Sequence, residues 1–96
     1  MTTRQVLEDA VQLLREKGRT QGDFEDDDGH ICVVEALAET IDPDTIPVGT
    51  RFADTEPCRL LREAIGSDNI AGWQDAPERT FAEVEQAFER AIEAAK

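Results

Sequence analysis

The chain has 96 residues, a 40% hydrophobic share and a formal net charge of −12, from 22 acidic and 10 basic side chains. That length suits one domain with a modest core and no obligatory staples. The charge argues against direct nucleic-acid binding and against an anionic membrane surface, since both need clustered Lys and Arg, and no stretch nears the roughly 20 apolar residues of a membrane span.

The first predicted helix runs from about Thr3 to Lys17. Thr2 caps it with Gln5 three residues on, and Val6, Leu7, Ala10, Val11 and Leu14 recur at helical spacing. Gly18 supplies the stop, behind Arg15 and Lys17, whose charges suit a helix C-terminus. The polar, amphipathic start predicts no secretory leader, and with only two cysteines, Cys32 and Cys58, the expected compartment is the cytoplasm.

Residues 23–48 carry nine acids and no Lys or Arg. Within them, "DDDG" (Asp26 to Gly29) reads as a turn, with Asp27 or Asp28 capping the next helix. That helix, "HICVVEALAETI", is apolar on most sides, which predicts a central, buried position. Its β-branched run from Ile31 to Val34 leaves a short strand start open. Asp42-Pro43 ends it.

Residues 42–54 read as an ordered loop anchored by Ile46, Val48 and Phe52. A third helix follows over about Glu56 to Ile65, with Thr55 as cap, Pro57 in the first turn and Gly66 as terminator. A second loop, "SDNIAGWQDAPER", leads to the last helix. There Thr80 and Glu83 form a capping box, and Phe81, Val84, Ala87, Phe88, Ala91, Ile92 and Ala95 make one stripe. The expected architecture is a small all-α single domain over residues 1–96, with about four helices, two ordered loops and helix 2 central.

The stretch Phe24 to Glu35 matches several positions of a calcium-binding EF-hand loop: Asp26, Asp28, Gly29, Ile31 and Glu35. It fails at the first position, where Phe24 offers no oxygen, and Gly18 and Gly22 interrupt the helix that should enter the loop. A weak cation-binding module on the Asp-rich loop 23–35, using Asp26, Asp28 and Glu35, is the alternative reading. His30 is the only histidine, and with Cys32 and Cys58 it lacks the paired spacing of a zinc site. One histidine supports no Ser-His-Asp or Cys-His-Asn set, and no glycine-rich phosphate loop is present. Trp73, the only tryptophan, reads as a seal on the core edge or as an exposed partner anchor.

The stretches "RTQGDFEDDDGHICVVEALAE" and "IAGWQDAPERTFAEVEQAFERAIEAA" resemble a family of small actinobacterial and actinophage proteins known as a domain of unknown function. The matching positions are Gln21, Gly22, Gly29, Cys32, Ala36, Leu37, Trp73, Asp75, Arg79, Thr80, Val84 and Phe88. Arg19, Glu35 and Gln74 depart from the pattern, standing where an aromatic, a small residue and Asn are common. The resemblance implies a fold and a cellular setting; it carries no activity. The expected function is therefore a noncatalytic interaction module without cofactor or metal, phage- or mobile-element-encoded. It would bind a basic protein partner through the acidic segment 23–44, with Asp23, Glu25, Asp26, Asp27, Asp28 and Trp73 as partner-binding residues.

Overall fold

The computed structural model describes residues 2–19 and 31–95. The described residues form an all-α fold of five helices: α1 (Thr3–Lys17), α2 (Val33–Thr40), α3 (Glu56–Ile65), α4 (Ile70–Gln74) and α5 (Phe81–Ala94). No strand occurs among the described residues. Arg19 and Ile31 make one isolated parallel bridge, which is all that the β-branched start of the second segment becomes.

Local capping chemistry sets most helix ends. The Thr2 hydroxyl accepts the Gln5 N–H at 3.1 Å, and Gly18 closes α1 at φ 82°, where a Cβ would be strained. Gly66 ends α3 in the left-handed region at φ 68°. At α5 the capping box is complete, with the Thr80 hydroxyl accepting from Glu83 N–H and Glu83 accepting from Thr80 N–H.

Several expectations need correction. The cap of α2 is Cys32, not Asp27 or Asp28: its sulfur accepts the Glu35 N–H at 3.3 Å, and the helix starts at Val33. Thr55 precedes α3 without capping it through its side chain, because its hydroxyl donates to the Phe52 carbonyl at 2.7 Å. Residues 42–54 fold around two 3₁₀ turns, Pro43–Thr45 and Phe52–Asp54. Ile46 and Phe52 pack against the core as expected, but Val48 anchors nothing and is fully exposed. The second expected loop contains α4, a fifth helix, whose start is capped by the Asn69 side chain accepting from Gly72 N–H at 3.0 Å.

Helix α1 holds the central position expected of the second helix. It packs against α2, α3 and α5, whereas α2 rests mainly on α1 and α4, and α3 on α5. One apolar stripe per helix meets here: Leu7 and Leu14 of α1, Leu37 of α2, Leu61 of α3 and Phe88 of α5 are all sealed from solvent. Burial of each such side chain contributes about 1.5–3 kcal/mol. Because α2 presents only Val33, Ala36 and Leu37 to this core, Ala38 and Glu39 face water and Glu35 is half-buried.

Candidate functional site

The two ends of α2 differ in chemistry. At its N-terminal end the chain on both sides of residues 20–30 is drawn together. The Ile31 N–H donates to the Gly18 carbonyl at 2.9 Å, across the Arg19–Ile31 bridge. Arg19 then reaches the end of α4 and the segment after it. Its guanidinium donates to the Gln74 carbonyl at 2.9 Å and to the Arg79 carbonyl at 2.7 Å. A planar fork of donors suits two carbonyls held at fixed separation.

Gln74 is the buried centre of this junction. It is fully sealed from solvent. Its Oε1 accepts the Val33 N–H at 3.0 Å, one of the amides that the first turn of α2 leaves without an intrahelical partner, and its Nε2 donates to Asp75 Oδ1 at 2.6 Å. Among the described residues no buried side-chain N or O lacks a partner. This is the expected condition of a polar group that has been taken out of water.

Trp73 and Arg79 close the outer side. Arg79 donates through Nε to the Trp73 carbonyl at 3.0 Å and pairs with Glu83 at 2.7 Å, while its guanidinium carbon lies 4.2 Å from the Trp73 ring centroid. The tryptophan is half-buried and packed against the core cluster. The Thr80 N–H, and next the Arg79 guanidinium, hold the Glu83 carboxyl below its ordinary range. Burial pushes the thiols of Cys32 and Cys58 up, so neither is ionised at neutral pH.

At the C-terminal end of α2 lies a cavity of about 370 Å³. Ile41, Ile46, Pro47 and Pro57 form its apolar walls with Val6, and the threonines at 3, 45, 50 and 55 add hydroxyls. Asp54 and Glu56 also line it, and among the described residues no Lys, Arg or His does. Asp42 and Asp44, exposed on the turn that leaves α2, stand within three residues of that lining. Asp54 is joined by Arg51 at 3.0 Å in an ion pair whose arginine is 82% exposed, a contact of little energetic weight.

Asp23, Glu25, Asp26, Asp27 and Asp28 lie outside the described residues, as do Phe24 and His30. The structure does place the rest of the acidic segment. Glu35, Glu39, Asp42 and Asp44 follow one another along α2 and the turn after it, and only Lys17 answers them in a described ion pair, with Glu39 at 3.7 Å. Among the described residues no group of three or more His, Cys, Asp or Glu is placed to hold a metal ion. None of the described helices is long and apolar enough to cross a membrane.

Sequence reasoning missed Arg19 and Gln74 as structural residues. The available signal was their departure from the family pattern beside matching Trp73 and Arg79. The chain belongs to a family of unknown function, DUF6197, whose model matches residues 1–94. No curated protein and no solved structure matches it.

Proposed function

We propose that this DUF6197 protein is a noncatalytic interaction module that docks a basic protein partner along its acidic segment 23–44. The observation that carries the reading is the one-signed charge of residues 23–48, nine acids and no Lys or Arg, of which Glu39, Asp42 and Asp44 are exposed on the described surface. A field of one sign raises the encounter rate with an oppositely charged partner and disfavours acidic competitors. The junction of Arg19, Gln74 and Ile31 supports the reading too, since it brings residues 19 and 31, on either side of the most acidic stretch in sequence, together beside the α2 N-terminus. A cytoplasmic setting and an actinobacterial or actinophage source accompany the proposal, on the strength of the sequence resemblance.

The test is affinity capture followed by direct titration of the purified partner. The variant carries Asn or Gln at Asp23, Glu25, Asp26, Asp27 and Asp28, and its fold is checked by circular dichroism. The expected result is a partner that the wild-type chain retains and the folded variant loses, with affinity falling as salt rises through about 0.15 M. A partner that survives the replacement overturns the proposal.

A further inference from the structure

We infer that the cavity at the C-terminal end of α2 is an anchor pocket, which takes one aliphatic side chain of a basic partner segment. The inference rests on the docking reading above and gives the partner its chemistry: an apolar residue flanked by Lys or Arg.

Shape and lining carry the apolar half. The cavity holds about 370 Å³ between Ile41, Ile46, Pro47 and Pro57, within the roughly 300–1,000 Å³ range of ligand pockets. Val48, between the lining residues Pro47 and Thr50 in sequence, is the exposed large hydrophobic side chain of the described residues.

Charge carries the basic half. Among the described residues the ionisable lining ones, Asp54 and Glu56, are acidic and the adjoining turn adds Asp42 and Asp44, so that with Arg51 paired to Asp54 the rim keeps a net negative charge. Two helices also start at the cavity, at Thr3 and Glu56, but they do not make an anion site of it. Asp54 and Glu56 line the cavity beside those helix starts, and their negative charge disfavours an anion there. A second copy of this chain, with a net charge of −12, is repelled by the same rim. A side chain buried in the cavity, with cations resting on the rim, satisfies both halves. Neither half alone accounts for an apolar cavity set into acidic surface.

The experiment titrates the wild-type protein with three short synthetic peptides by calorimetry at low and at moderate salt. The first has Lys and Arg flanking a central Leu; the second has Ala in place of Leu; the third keeps Leu between uncharged Ser and Gln. The Leu peptide is expected to bind about tenfold more tightly than the Ala peptide, since Leu buries more apolar surface. The uncharged peptide is expected to bind far more weakly than either. Thr50→Trp, which fills the cavity from its lip, should reduce the Leu peptide to the affinity of the Ala peptide. Equal binding of Leu and Ala peptides overturns the pocket while leaving acidic docking intact. Absence of binding by either basic peptide at low salt overturns both readings. Equal binding of the uncharged peptide, or a molecular mass that rises with protein concentration and falls back in Val48→Ser, assigns the cavity to another occupant and overturns the inference.

Discussion

The N-terminal end of α2 is a junction in which, among the described residues, every buried side-chain N and O is paired, while its C-terminal end opens on an apolar cavity in an acidic rim. Both lie within a few residues of one eight-residue helix, about 12 Å long at 1.5 Å per residue. At the first end Gln74, Arg19 and Arg79 each bind backbone groups of the same chain, and Gln74 and Arg79 also hold the Asp75 and Glu83 carboxylates. At the second, Ile41, Ile46 and Pro47 line an open cavity, the two isoleucines packing against the core as well. The contrast separates residues that hold the fold from residues free to meet something else.

Substitution at the two ends should break along that line. Gln74→Leu keeps most of the buried volume but leaves the Val33 N–H without its acceptor, which costs about 2–3 kcal/mol. A fall in melting temperature of roughly 10–20 °C is expected; a shift below a few degrees would mean that the junction is incidental to the fold. Ile46→Ala, at the open end, trims a half-buried side chain and should cost only about 1 kcal/mol in urea unfolding. A loss equal to that of Gln74→Leu would erase the distinction.

The smallest expected effect is a pH dependence at the outer edge of the junction. Glu83 has its carboxyl held below the ordinary range, first by the Thr80 N–H and then by Arg79. Its folded-state value lies below its unfolded one, so its stabilising contribution is present above the unfolded value. That contribution is lost as pH falls through the folded value. The melting temperature of Glu83→Gln should therefore lie below that of the wild-type chain at neutral pH, with the gap closing in acid below the carboxylate range. A gap that is constant with pH would remove the charged partner from the account.

The helix boundaries were readable because their causes are local. Thr2 with Gln5, and Thr80 with Glu83, act over three residues; Gly18 and Gly66 act through their own φ. Apolar spacing predicted the buried stripe of α1 in full. In α3 tertiary packing covers Leu60 beside Leu61. The short α4 hid in a polar stretch because five residues give too little periodicity to detect. Cys32 as a cap was obscured by better acceptors upstream, and Asp27 and Asp28 had the stronger intrinsic preference.

What the sequence determined by itself is the all-α class, the order and ends of the long helices, and the concentration of acid in residues 23–48. Each follows from residues a few positions apart or from a plain count of charge. Only the tertiary structure decided that α1 is central, that Gln74 is buried beneath the start of α2, and that a cavity opens at its other end. Those outcomes depend on contacts far apart in sequence: Val33 to Gln74 spans 41 residues and Arg19 to Gln74 spans 55. Hydrogen-bond partners at that separation are chosen by how helices pack, because packing sets which backbone groups are cut off from water and must be satisfied by a distant side chain.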